Sequence, residues 1–174
     1  LALGSVGFGA ISTFITLYYA SMHWANAALT LSVFGGCFVA VRLLMGSAIS
    51  RFGGYRVAMT SLCIECAGLI VLAIAGNVVT AMLGAALTGI GFSLIFPALG
   101  VEAVSRVSMN NRGAALAAYS VFIDVALGVT GPLGGWVASG GRYGALFCIA
   151  SGLSLAAVLL TCWLYFRYGK LVRG

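Results

Sequence analysis

Three observations predict an all-α membrane protein of six transmembrane helices. Hydrophobic residues make up 62% of the 174 residues and charged residues only 7%, where soluble domains carry roughly 25%. The mean hydropathy is +1.13. The apolar residues gather into six stretches, each near the roughly 20 helical residues that cross a hydrocarbon core of about 30 Å. Finally, the positive charges alternate from one connection to the next, as they must when successive helices cross a bilayer in opposite directions.

The first stretch, 1–21, is dense in glycine at Gly4, Gly7 and Gly9 and ends in the polar link MHWAN, where Trp24 suits a membrane interface. The second, 27–49, carries Arg42 and leads into the basic, glycine-rich turn RFGGYR. The third, 57–75, carries Glu65 and turns at Gly76 and Asn77. The fourth, 78–101, contains Gly84, Gly89, Gly91 and Pro97, and the longest polar link follows from Glu102 to Gly113. The fifth, 114–138, holds Asp124 and the run GPLGG from Gly131 to Gly135. After SGGRYG comes the sixth, 145–166, and a basic tail over 167–174. Pro97 and Pro132 each remove a backbone donor and are expected to kink or locally open their helices. The 25 glycines are expected to let helix backbones approach closely, since helices in lipid associate through packing.

Connections after the second, fourth and sixth stretches hold Arg51, Arg56, Arg106, Arg112, Arg167, Lys170 and Arg173; the opposite set holds only Arg142. The positive-inside rule makes the first set cytoplasmic, with both chain ends on that side. The net charge of +6 therefore reads as topology, and no basic patch with interleaved aromatics points to nucleic acid. Cys37, Cys63, Cys66, Cys148 and Cys162 all lie in apolar runs and behave as small hydrophobes. Cys63 and Cys66 form a C-x-x-C, but a zinc site wants four ligands and no second pair or nearby histidine accompanies them. Neither a metal nor a cofactor is expected. Leu1 already stands inside an apolar stretch, with no initiator methionine or basic leader, so an upstream portion is expected.

Three ionisable residues fall inside the stretches: Arg42, Glu65 and Asp124. A charge at membrane depth costs a few kcal/mol or more, so each needs a partner or a watery cavity. Counted from the ends of their stretches, Arg42 and Glu65 sit roughly 12 and 13 Å deep, similar enough to pair, and Asp124 roughly 18 Å deep, near the midplane. Glu65 is either half of a structural ion pair or a functional acid; Asp124 is either a proton carrier or the counter-ion of an arginine, with Arg42 the candidate nearest in depth. At the basic rim, Glu102 and Arg106 stand at i, i+4, with Arg51 and Arg112 on the same membrane face.

Gly46, Arg51, Gly53 and Arg56 in GSAISRFGGYR resemble the loop signature G-x-x-x-D-R-x-G-R-R of the major facilitator superfamily, with Ser50 in place of the aspartate. Gly131, Pro132 and Gly135 resemble the G-P-x-x-G-G run of its proton-coupled antiporters, with Trp136 replacing the last glycine. The runs GFSLIFPALGVEAVSRV and RGAALAAYSVFIDVALGVTGP are similar to bacterial inner-membrane transporters of the YhhS and YfcJ type. The resemblance covers the whole chain and implies the C-terminal six-helix half of a twelve-helix transporter, built as inverted 3+3 repeats around a central cavity. It implies that the first, second, fourth and fifth helices face the cavity or the other half, which favours Arg42 and Asp124 over Glu65. It also implies that Arg51, Glu102, Arg106 and Arg112 form a cytoplasmic salt-bridge network stabilising the outward-open state.

The expected function is secondary active transport, with proton-coupled export of small organic solutes such as sugars or drugs. An importer of the same fold, or a passive channel or assembly subunit, are the rivals. An intramembrane serine protease is disfavoured: there is no G-x-S-G string, and the sole histidine, His23, sits at the interface, leaving no base to activate a hydroxyl.

Overall fold

In lipid every backbone N–H and C=O must find a partner within its own segment, so long apolar runs fold as helices. The computed structural model describes residues 1–105 and 107–168 and contains six helices long and apolar enough to cross a membrane. These are α1 (Ala2–Ser21), α2 (Ala27–Leu44), α4 (Gly54–Ala73), α5 (Val78–Val104), α6 (Arg112–Ala138) and α7 (Tyr143–Tyr168), with a short α3 (Ala48–Phe52) between α2 and α4. A 3₁₀ turn, Met109–Asn111, introduces α6, and no strand occurs among the described residues.

Several boundaries differ from expectation. The second span ends at Leu44, not at residue 49, and the chain re-enters helix as α3 only at Ala48. Gly46 lies in that break, where a Cβ would stand 3.1 Å from the Arg42 carbonyl. Between α3 and α4, Gly53 takes φ of 87°, a conformation open to glycine at no steric cost. This is the physical reason for one glycine of the RFGGYR turn. α5 and α6 extend further than expected at their basic ends, each reaching 27 residues or roughly 40 Å, and both run unbroken through Pro97 and Pro132. α5 starts under an Asn77 cap, whose side chain accepts the Thr80 N–H at 2.9 Å. α7 continues as far as Tyr168, and most of the expected tail, including Lys170 and Arg173, lies outside the described residues.

The packing is uneven. α5 lies between α4 and α2, α4 also packs on α7, and α1 crosses against α5, α6 and α7. The closest approach is that of α4 and α5, where a Cβ on Gly91 would collide with the backbone of Glu65 and lie 2.6 Å from the Ser61 carbonyl oxygen. Toward the α1–α2 link the core is aromatic: Tyr18 donates to the Ala75 carbonyl at 3.0 Å, and Tyr19 and Thr30 share a hydroxyl–hydroxyl bond of 2.6 Å. Both tyrosine hydroxyls thus find partners at helix depth, where an unpaired polar group is expensive.

Candidate functional site

A cleft of about 480 Å³ opens where α1, α2, α5 and α6 meet, lined by Phe8, Phe34, Phe38, Phe92, Phe96, Arg42 and Ile123 among others. Its aromatic wall is continuous. Phe8 stacks on Phe92 with ring centroids 4.9 Å apart and planes 3° from parallel, and Phe34 and Phe38 extend the stack at 5.9 and 6.0 Å from Phe8 and Phe92 respectively. Ser93 ties α5 to α2 by donating to the Phe38 carbonyl at 2.7 Å, and Tyr119 ties α6 to α5 by donating to the Phe96 carbonyl at 2.9 Å. These bonds fix the helices that carry the rings. In the sequence Phe92, Phe96 and Tyr119 are polar or aromatic enough to line a cavity but equally suit packing or an interface; the aromatic ladder across three helices has no signature in a linear pattern.

Arg42 borders this cleft, its guanidinium carbon 5.7 Å from the Phe38 ring centroid, a cation–π distance. Because α2 ends at Leu44, Arg42 occupies the helix's last turn instead of lying deep within it. There the exposed side chain reaches the helix end, and the C-terminal carbonyls of α2 favour its positive charge. Asp124 follows Ile123 on α6, is exposed, and lies roughly 18 Å from the helix start, but does not itself line the cleft. The two differ in depth, and no ion pair or hydrogen bond joins Arg42 to Asp124.

Glu65 is placed quite differently. It is fully buried, and the ion pair with Arg42, one of the two readings of its role, does not form: Arg42 stands in the last turn of α2. Its Oε2 instead accepts the Ser154 hydroxyl of α7 at 3.2 Å, and its Oε1 has no partner. Gly7 of α1 makes room for the carboxyl; a Cβ there would lie 2.5 Å from Oε1. The serine was not anticipated, and only its matching depth on the last span could have suggested it.

Among the described rim residues, Arg51, Glu102 and Arg112 form no ion pair with one another. Arg51 is exposed and lies over the Phe52 ring at 5.5 Å, and Arg112 is exposed at the start of α6. Glu102 packs against Gly54, where a Cβ would meet its Cγ at 2.7 Å. Arg106 lies outside the described residues. Arg56 donates from Nη2 to the Tyr165 hydroxyl at 3.1 Å. On α6, Gly131 and Gly135 have open space where a Cβ would be, so the G-x-x-x-G spacing does not pack within this bundle. The packing glycine is Gly134, beside Phe14 and Leu146. Cys63 is exposed on α4, while Cys66 is buried with its thiol donating to the Ser151 carbonyl at 3.4 Å. Among the described residues no cluster of three or more metal-ligating side chains occurs.

The profile of the Major Facilitator Superfamily matches residues 1–172. An uncharacterized MFS-type transporter of Burkholderia mallei (strain SAVP1) is 56% identical over 171 residues, covering 98% of this chain and 42% of the relative. One of Burkholderia pseudomallei (strain K96243) matches equally, and one of Pseudomonas aeruginosa (strain LESB58) is 57% identical over 164 residues, covering 91% of this chain and 41% of its own length. The chain thus spans about two fifths of these curated relatives, as a six-helix portion of a longer transporter would. The finer likeness to the YhhS and YfcJ type rests on the sequence runs alone. On the profile match, the relatives and the six-helix bundle together, the chain belongs to the major facilitator superfamily.

Proposed function

We propose that the chain is the C-terminal half of a proton-coupled exporter of small organic solutes in a bacterial inner membrane, with both described ends cytoplasmic. The observation that carries this reading is the aromatic cleft with Arg42 at its edge, on the side of the bundle that α2 and α6 leave uncovered. Stacked phenylalanine faces suit the apolar or ring-bearing surface of a drug or sugar, and the arginine supplies a cation and donors for its polar end. The other six helices of the full-length protein would close the cleft from the opposite side and contribute the remaining contacts. Alternating access then means exposing it to one membrane face at a time.

In this reading Asp124 is the proton-carrying group. It stands on α6 next in sequence to Ile123, which lines the cleft, and roughly 18 Å from the helix start. Arg42 attracts the ionised form in one conformation and is released by protonation, which biases the inward–outward equilibrium. Arg51, Glu102, Arg106 and Arg112 form the rim network in the conformation that brings them together. The partial G-P-x-x-G-G run favours export. The test is solute flux in proteoliposomes of the full-length protein under an imposed pH gradient. Asp124→Asn is expected to abolish the gradient dependence and Arg42→Ala to lower flux. Gradient-driven flux surviving in Asp124→Asn overturns the coupling role; uptake in place of extrusion assigns an importer, and flux indifferent to the gradient in the parent assigns a channel.

A further inference from the structure

A second groove, of about 340 Å³, lies on a different side of α5 and shares no lining residue with the cleft. Its walls are Val41 of α2, Met45 just beyond its end, and Val57 and Ile64 of α4, and its floor is Ile90 and Leu94 of α5. It exists because α2 and α4 both pack on α5 and leave a gap over it. One end is closed by Phe52 of α3, and there the apolar lining gives way to Arg56. The Arg56 guanidinium is held by the Tyr165 hydroxyl through Nε at 3.3 Å and Nη2 at 3.1 Å, contacts that fix its position without neutralising its charge. Arg51 stands at the same end, 5.5 Å from the Phe52 ring centroid. No carboxylate pairs with either arginine among the described residues. All three acidic side chains of the chain are described: Glu65 is buried, Asp124 is on α6, and Glu102 lines a separate cleft near α1 and α7.

We propose that this groove binds one anionic glycerophospholipid, its acyl chain lying along α5 between α2 and α4 and its phosphate on Arg56 and Arg51. A gap open to the hydrocarbon fills with lipid tails, because an empty one forfeits the packing that holds helices together in a membrane. The uncompensated guanidinium groups select among lipids by headgroup. A phosphate in reach of two arginines accepts charge-assisted hydrogen bonds, and each cation near the headgroup plane contributes on its own. A solute drawn from water would need polar partners along its length, and beyond Arg56 at its end the groove is lined by only two polar side chains, Thr60 and Ser61. The site is independent of transport direction. By its place it links α2 to α4 beside the loop that carries the family signature, so an occupied groove braces the α2–α3–α4 turn.

The test uses the full-length transporter in a mild detergent, titrated with phosphatidylglycerol or phosphatidylcholine of identical acyl chains and read by native mass spectrometry. The parent is expected to retain phosphatidylglycerol preferentially. Arg56→Ala should cut that preference about fivefold, the factor carried by one cation at the headgroup plane, and Arg56→Lys should keep most of it. Thr60→Trp fills the groove without removing a charge and should lower retention of both lipids. Each variant is checked by size-exclusion chromatography, and Arg56→Lys and Thr60→Trp keep the question decidable if Arg56→Ala does not fold. Equal retention of the two lipids by the parent, or undiminished retention by Thr60→Trp, overturns the proposal.

Discussion

The α1–α4–α5–α7 core and the α2–α6 face are built from the same apolar alphabet and differ in almost every other respect. Over an 18-residue apolar segment of α1 and of α5, 56% of residues are buried within the bundle; over the corresponding segments of α2 and α6, 11% are. Glycine shows the contrast directly. In the core, Gly91 lets α5 approach the backbone of α4, whereas Gly131 and Gly135 on α6 face open space. Each region also holds one carboxyl well inside a spanning helix; the third, Glu102, lies in the last turn of α5. Glu65 is enclosed by four helices and bonded to Ser154; Asp124 is exposed and bonded to none of the described residues. The two carboxyls thus stand in opposite environments, one buried against a neutral hydroxyl and one exposed.

The largest expected effect lies in the core. Gly91→Val should destabilise the full-length protein by about 3 kcal/mol or more, the upper range of overpacking, because its methyl groups would meet backbone, which cannot rotate away. The measurement is the denaturant midpoint in detergent; a midpoint near the parent's would show that α4 and α5 can separate. Next comes Glu65. Glu65→Ala leaves a void and an unmatched Ser154 hydroxyl, and should cost about 2 kcal/mol. Glu65→Gln keeps shape and an acceptor for Ser154 and should stay within about 1 kcal/mol. If the amide is as damaging as alanine, the acid itself matters and Glu65 belongs with the functional carboxyls.

The sequence made the spans legible because lipid imposes one simple demand, apolar length, and because arginines on alternate connections report sidedness independently. Boundaries were less legible. The stretch 27–49 is apolar throughout, and nothing in its hydropathy shows that helix stops at Leu44. That one shift moved Arg42 from two turns deep to the helix end and dissolved its depth match with Glu65. The Glu65–Ser154 bond joins residues 89 apart, and the Phe8–Phe92 stack joins the first span to the fourth. Such contacts depend on helix rotation, and the nearly uniform apolar composition of a membrane helix encodes rotation weakly.

Smaller effects probe the border between the two regions. Tyr119 on α6 bonds the Phe96 carbonyl one residue before Pro97 and is one of the links between the open face and α5. Tyr119→Phe keeps the ring tilted against Phe96 with centroids 5.1 Å apart and loses only the hydroxyl, so stability should fall by about 1 kcal/mol. An unchanged midpoint would mean that α6 is held by other contacts.

The smallest expected effect on folding is the most informative about the open face. A Cβ at Gly135 meets nothing within 4 Å, so Gly135→Ala should leave stability within about 0.5 kcal/mol of the parent. A larger side chain at the same position, Gly135→Leu, should be equally silent in unfolding yet reduce solute flux, because it would stand where the other six helices are proposed to move against α6. Measuring both quantities on one variant separates the two regions. Loss of stability together with flux would place Gly135 in a permanently packed interface, like Gly91; loss of neither would turn this face of α6 toward lipid.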